Sequence, residues 1–232
     1  MWKNLLNLFS HKDDLLTQAL RESHSMLDLD LEIFEASVAS LRQSDSSEVD
    51  VDIYLIDKKI NAYERDVRRK VLTHLSFSSS TDLAAGLVLV SVVIDIERIG
   101  DYAKNIHDLA RAHPARLVGK SLESEIADIE SRVSSLFRDT VVAFRSSDIE
   151  KSRAIMVAYK EGLSSRCDDL INRIVSGQAN DLDASEAAAI SLYIRYLKRI
   201  GAHSRNIITS VVNPFHRIGY REKGDRSSQS RP

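Results

Sequence analysis

The sequence has few of the residues that interrupt helices or cross-link a chain. Its 232 residues include eight glycines, three prolines and a single cysteine, Cys167. One cysteine excludes an intramolecular disulfide framework and a cysteine-rich zinc site. The scarcity of glycine and proline, together with the lack of strong β-hairpin turn signals, indicates an all-α chain.

The sequence also lacks a long apolar run and a strong net charge. Its longest apolar run, residues 83–96, is interrupted by Gly86, Ser91 and Asp95, whereas a membrane-spanning helix needs about 18 to 20 apolar residues. The formal net charge is −2, and basic residues alternate with acidic ones, a pattern that does not favour nucleic-acid binding. Residues 1–9 lack a long apolar region and a small-residue cleavage site, so we expect no secretory signal there. We therefore expect a cytoplasmic protein with no transmembrane segment and no nucleic-acid partner.

One segment of the sequence occurs twice. Residues 95–106 and 196–207 share an Arg-Ile-Gly core and an Asn-Ile pair, and both shared elements recur at a separation of 101 residues. Such a constant separation indicates an internal duplication. Helical periodicity follows six blocks, three in each half, so the sequence predicts two tandem antiparallel three-helix bundles.

The predicted organisation has four parts. Apolar residues within 1–9 share one helical face, which packs on the bundle or anchors the chain to a partner or a membrane surface. The polar, basic C-terminal end lacks periodicity and is expected to be disordered. The predicted boundaries are an amphipathic segment over 1–9, a first repeat over 10–113, a second repeat over 114–213 with one continuous middle helix from 147 to 176, and a disordered basic tail over 214–232.

An apolar stripe on the third helix continues into two acids. Glu97 and Asp101 are four residues apart, so a helix places both carboxylates on one face. Carboxylates that continue a core stripe are partly desolvated, which raises a pKa unless a cation compensates. The stripe predicted to be core comprises Leu83, Leu87, Val90 and Ile94.

The second helix carries a matching polar face. Asp57, Asn61 and Glu64 lie on it, and antiparallel packing against the third helix would bring five oxygen-bearing side chains together. Oxygen-rich ligation suits hard or borderline cations such as Mg, Mn, Fe or Zn. His107 and His113 are expected at the surface. An alternative stays open, in which basic neighbours neutralise the acids in salt bridges: Lys58, Arg65, Arg68 or Arg98.

The second half has lost these acids. Lys198 and Ala202 replace the pair on the repeated helix, so we expect a metal site in the first half only. An ungapped match of the middle helix replaces its polar face with Lys160, Ser164 and Cys167. Two interpretations stay open for Lys160, Arg195 and Lys198: a decayed site whose side chains are solvated, or a basic site that holds an anion or an acidic segment. Grouped cations would need an anion or an acid such as Glu161 nearby.

The segments 57–64 and 95–106 resemble the first repeat of the PhoU family, bacterial regulators of phosphate uptake. The resemblance covers nearly the whole chain and implies a non-enzymatic, metal-binding protein. It places a divalent or trivalent metal ion (Fe, Zn, Mn or Mg) on Glu97 and Asp101, with Asp57, Asn61 and Glu64 as partners.

The resemblance also implies partners. Family members restrain phosphate import and phosphate-starvation signalling through a phosphate transporter subunit or a sensor histidine kinase. Two alternatives are an accessory protein of a sodium-phosphate cotransporter and a ligand-free helical scaffold. Peripheral membrane attachment and a homodimer are left open.

Overall fold

The computed structural model describes residues 14–46, 48–78, 81–113, 115–160 and 162–222. Over these ranges the chain forms α-helices and two short 3-10 helices, Lys120–Leu122 and Phe215–Arg217, and no strand. The α-helices are α1 (Leu15–Gln43), α2 (Ile53–Phe77), α3 (Leu83–Ala112), α4 (Glu123–Ser146), α5 (Ile149–Lys160), α6 (Leu163–Val175) and α7 (Ala184–Val212).

The first half is a three-helix bundle of α1, α2 and α3. Asp14 and Asp52 start α1 and α2 as N-caps, because their carboxylates accept hydrogen bonds from backbone N–H groups of the first turn. Each helix then buries an apolar stripe against the other two. Fully buried members of this core include Met26, Ile33, Phe34, Ile60, Val67, Val92, Ile96 and Ile99.

The predicted core stripe of α3 is wrong. Leu83, Leu87 and Ile94 keep 48%, 37% and 39% of their surface exposed. The helix instead buries the face that carries Leu89 and Val92. The N-terminal part of α3 is apolar around most of its circumference, so periodicity alone does not identify the buried face.

The second half repeats the plan with one interruption. The predicted continuous middle helix is two helices: α5 ends at Lys160 and α6 begins at Leu163. Gly162 has a φ of 106°, in the left-handed region that glycine adopts without steric cost. Together α4, the interrupted pair and α7 form the second bundle, and a capping box between Asp183 and Glu186 starts α7.

The C-terminal segment folds back onto α7. Gly219 N–H donates to Thr209 Oγ1 (2.7 Å), and the Asn213 side-chain amide donates to the carbonyl oxygens of Arg217 (3.1 Å) and Tyr220 (2.7 Å). The prediction of disorder is therefore wrong for residues 215–222. Residues 1–13, with the predicted amphipathic segment, and 223–232 lie outside the described residues.

The two halves join along α3 and α7, where the repeated segments face each other. Tyr102 stacks on His203, its counterpart 101 residues on, with 5.8 Å between ring centroids. Asp95 Oδ1 is hydrogen-bonded to His203 Nδ1 (2.7 Å) and Asn206 Nδ2 (3.0 Å). In the part of the chain that the structure describes, no helix is both long and apolar enough to span a membrane.

Candidate functional site

A lysine lies between the acids that α2 and α3 bring together. Lys104 Nζ donates to Asp57 Oδ1 at 2.9 Å and to Asp101 Oδ1 at 3.3 Å. Burial by itself would lower the pKa of Lys104, but its hydrogen bonds and charge attraction to the two carboxylates outweigh burial and raise it. The site therefore contains a tethered ammonium ion that links the acidic faces of the two helices.

Glu97 and Asp101 share a second cation, Arg98. Its guanidinium lies 3.6 Å from Glu97 Oε2 and 3.3 Å from Asp101 Oδ2, and just over half of its side chain is exposed. Burial, followed by the charge of Asp101, raises the pKa of Glu97. Glu97 and Asp101 therefore lie on one face of α3. Nearby positive charge does not fully compensate Glu97, which is partly buried.

The other two predicted ligands have partners on their own helix. Asn61 Nδ2 donates to the backbone carbonyl of Asp57 at 2.9 Å. Glu64 forms an ion pair with Arg68 at 2.8 Å. The salt-bridge alternative is thus realised by Arg68 and Arg98, and by Lys104, which the sequence analysis did not include.

The acidic cluster has a buried member that sequence reasoning missed, Asp30 of α1. Its side chain is fully buried, and neither carboxyl oxygen has a hydrogen-bond partner among the described residues. The carboxyl occupies the space above Gly100, where an added Cβ would lie 2.6 Å from Asp30 Oδ1. Its signal in the sequence is position, because Asp30 is four residues from both Met26 and Phe34, two core residues of the same helix.

The other three acids of the cluster affect the pKa of Asp30. Burial, and then the charges of Glu97, Asp57 and Asp101, raise its pKa well above the ordinary range of an aspartic acid. Burial and the neighbouring acids therefore both disfavour the charged form of Asp30. The cluster of Asp30, Asp57, Glu97 and Asp101, called here the acidic cluster, therefore has four carboxyl groups against two cations.

The acidic cluster has the ligand atoms of a cation site, but these atoms are not arranged to hold an ion. Its carboxyl oxygens are the donors that hard cations prefer, and the orphaned oxygens of Asp30 mark a deficit of positive charge. Across the described ranges, however, no three His, Cys, Asp or Glu side chains are arranged to hold a metal ion. Lys104 occupies the position between Asp57 and Asp101, so a metal ion could be bound there only after this side chain moves.

Two further predictions concern single side chains. His107 is not at the surface as expected; it is 5% exposed, and burial lowers its pKa. Cys167 is fully buried, and desolvation raises the pKa of its thiol to about 11. Such a thiol stays protonated and unreactive at neutral pH.

The corresponding region of the second half pairs its lysine with an acid. Lys198 Nζ donates to both carboxylate oxygens of Asp168, at 2.5 and 2.6 Å. Asp168 therefore supplies an acidic neighbour beside Lys198, as expected, and Glu161 lies outside the described residues. Arg195 is exposed, and the side chain of Lys160 lies outside what the structure describes. A joint basic site of Lys160, Arg195 and Lys198 therefore stays a prediction.

A comparison with protein-family models matches both halves of the chain. The model described as "PhoU domain" matches residues 23–110 and again residues 126–211. The chain belongs to the PhoU family. Family membership confirms the resemblance and the tandem architecture, and with them the prediction that the protein is not an enzyme.

Similar proteins carry a name that refers to phosphate transport. Homologues from Pseudomonas putida and Pseudomonas aeruginosa, both named "Phosphate-specific transport system accessory protein PhoU homolog", are 26% and 28% identical over 76% and 68% of this chain. The matches span 69% and 66% of those two proteins.

Solved structures share the fold. The crystal structure of PhoU from Pseudomonas aeruginosa superimposes with a TM-score of 0.73 at 23% identity, covering 85% of this chain and 95% of that one. The phosphate transport system regulatory protein PhoU from Streptococcus pneumoniae gives a TM-score of 0.71 at 19% identity, covering 84% of this chain and 92% of that one. At these identities the structures support the tandem helical fold alone.

Proposed function

We propose that this protein is a non-enzymatic, cytoplasmic regulator of inorganic phosphate uptake and phosphate-starvation signalling. The observation that carries the proposal is the match of both halves to the PhoU domain. The phosphate-transport names of the homologues support it. The protein would act by contact with a phosphate transporter subunit or a sensor histidine kinase and would restrain that partner.

A deletion strain tests the proposed role. Loss of the gene should raise phosphate accumulation or phosphate-starvation gene expression when phosphate is plentiful, because the restraint is removed. A plasmid copy should reverse the effect. Unchanged uptake and reporter output at both low and high phosphate would contradict the proposal. Co-purification of a transporter ATPase subunit, a sensor kinase or a sodium-phosphate cotransporter with the tagged protein would identify the partner.

We further propose that the acidic cluster binds a hard or borderline metal ion (Fe, Zn, Mn or Mg) and that the second half does not. The excess of carboxyl groups and the unpartnered oxygens of Asp30 support this proposal. Asp57, Glu97 and Asp101 would hold the ion after Lys104 moves away, and Asn61 and Glu64 would join only by giving up their partners on α2. Bound metal would supply positive charge that links α2 to α3.

Metal analysis of purified variants tests the proposed ion. The double variant Glu97→Ala/Asp101→Ala should lose bound metal, since it removes both acids of α3. Lys198→Met is the matched control in the second half and should retain the wild-type metal content. Metal retained by the double variant would contradict the assignment to the acidic cluster.

A ligand-free regulator is the second candidate, and one contact favours it. Lys104 already supplies a cation to Asp57 and Asp101 at hydrogen-bonding distance. In this version the ammonium group replaces the metal and the protein acts through its helical surfaces alone. Wild-type protein that contains no stoichiometric metal, yet complements the deletion strain, would select this candidate.

A further inference from the structure

The second half contains a cavity of about 750 Å³ at the interruption of its middle helix. It lies between α5, α6 and α7 and is closed on one side by the C-terminal segment. Its volume falls within the range of small-molecule sites, about 300 to 1,000 Å³. The side chains that define its chemistry are Arg153, Tyr159, Ser164, Arg205, Arg221 and Glu222.

The cavity and its border carry more positive than negative charge. Arg153 donates to both carboxylate oxygens of Glu222, at 2.9 and 2.7 Å, and also to Glu150 Oε1 at 2.6 Å, which brings one further acid to the border. Asp168, the other acid of the wall, is hydrogen-bonded to Lys198. Both acids of the wall are therefore compensated, and Arg205 and Arg221 provide the excess positive charge.

Arg205 is held in a fixed orientation. Its Nη2 donates to the carbonyl oxygen of Gly219 at 2.8 Å, and its guanidinium lies over the ring of Tyr159, 5.6 Å from the centroid. Arg205 is also the counterpart of Lys104, 101 residues earlier. The duplicated position that presents an ammonium group to acids in the first half thus presents a guanidinium to a cavity in the second. A planar guanidinium suits bidentate binding of phosphate.

The remaining walls differ in polarity. Met156, Val157 and Tyr159 form an apolar side, while Ser164 and Ser165 of α6 form a hydroxyl-bearing side. An apolar wall beside arginines fits a ligand with both an organic body and an anionic group. Inorganic phosphate would contact the arginines but leave the apolar wall uncovered.

We propose that this cavity binds an organic phosphate, with its phosphate group on Arg205 and Arg221 and its organic body against Tyr159, Met156 and Val157. The inference goes beyond the regulatory role proposed above and does not depend on the metal of the first half.

Calorimetric titration of the full chain with adenosine monophosphate, adenosine and inorganic phosphate tests the proposal. Adenosine monophosphate should bind at least about tenfold more tightly than either of the other two probes, because only it satisfies both walls. Arg205→Met and Arg221→Met should each weaken its binding about tenfold or more, since each removes a charged hydrogen-bond donor. Arg173→Met is the control and should bind as the wild type does, because Arg173 pairs with Glu125 outside the cavity.

Three results would overturn the proposal: no binding of adenosine monophosphate at millimolar concentration, binding unchanged in both arginine variants, or inorganic phosphate bound as tightly as adenosine monophosphate. Arg221 is exposed, so Arg221→Met keeps the test valid even if Arg205→Met fails to fold. The readout is direct binding, so a negative result here would leave the deletion phenotype and the metal content of the first half unaffected.

Discussion

The two halves share a helical backbone but differ in the side chains that it positions. The difference is clearest at Gly100 and Gly201, which occupy equivalent positions in the two repeats. Gly100 leaves space for the carboxyl of Asp30, whereas Gly201 faces Leu163 and Tyr159. In both halves the missing side chain permits a close approach by a neighbouring helix. The duplication has therefore kept the backbone geometry, while the side chains opposite each glycine have diverged from a buried acid to apolar packing.

The same divergence appears one turn further along each helix. Lys104 compensates acids in the first half, and Arg205 borders a cavity in the second. The cavity lies where the middle helix is interrupted between Lys160 and Leu163, a break that α2 does not have. A change in one middle helix thus accompanies the change from an acidic cluster to a basic pocket.

Substitution of Gly100 and Gly201 should give the largest difference in stability between the halves. An alanine Cβ at position 100 would lie 2.6 Å from Asp30 Oδ1, whereas at position 201 its nearest neighbour is Leu163 Cδ2 at 3.3 Å. Both substitutions gain helix propensity, so the difference reflects overpacking. We expect Gly100→Ala to be about 2 kcal/mol less stable than Gly201→Ala in urea unfolding. Adding Asp30→Ala should recover most of this loss; equal stabilities of the two single variants would contradict the close approach.

Asp30 should make stability depend on pH. In the unfolded chain it ionises above about pH 4, while burial and the neighbouring acids raise its pKa in the folded protein. The contribution of Asp30 to stability is therefore fully present below pH 4 and decreases as the pH rises. Asp30→Asn should match the wild type most closely near pH 4 and should become progressively more stable than the wild type as the pH rises toward 7. Denaturant unfolding between pH 4 and 8 measures this, and a constant difference would contradict it.

Lys104 should stabilise the first half by a smaller amount. Replacing it with methionine removes the cation between Asp57 and Asp101, and their repulsion should lower the free energy of unfolding by about 1 kcal/mol, a value discounted for partial solvent exposure. Added Mn²⁺ or Mg²⁺ should restore this stability. A midpoint of unfolding unchanged by the substitution would show that the contact contributes nothing.

The ion pair between Lys198 and Asp168 in the second half should contribute least to stability. Asp168 is half exposed, so Lys198→Met should change stability by less than about 1 kcal/mol. Divalent cations should not alter this variant any more than they alter the wild type. Thermal unfolding of the two lysine variants side by side, with and without metal, measures the contrast; a larger loss for Lys198→Met would reverse the comparison.

Periodicity and duplication predicted the helical architecture because both are properties of the chain itself. They identified the third helix of each repeat and the pair Glu97 and Asp101 on one face of α3. Periodicity failed for Leu83, Leu87 and Ile94. Apolar residues lie on several faces of this part of α3, and packing against α1 and α2 decides which face is buried. Periodicity and duplication also missed Asp30 and Lys104, because their roles arise from contacts between helices, and an ungapped repeat match could not show the break at Gly162.

Our central proposal is that the first half provides a cation site in which the ammonium group of Lys104 competes with the metal ion, and that the second half provides none. Equilibrium dialysis with Mn²⁺ tests this most directly on the wild type, Lys104→Met and Lys198→Met. We predict that Lys104→Met binds Mn²⁺ about tenfold more tightly than the wild type, which corresponds to about 1.4 kcal/mol, and that Lys198→Met binds it as the wild type does. Unchanged affinity in Lys104→Met, or tighter binding by Lys198→Met, would contradict the claim.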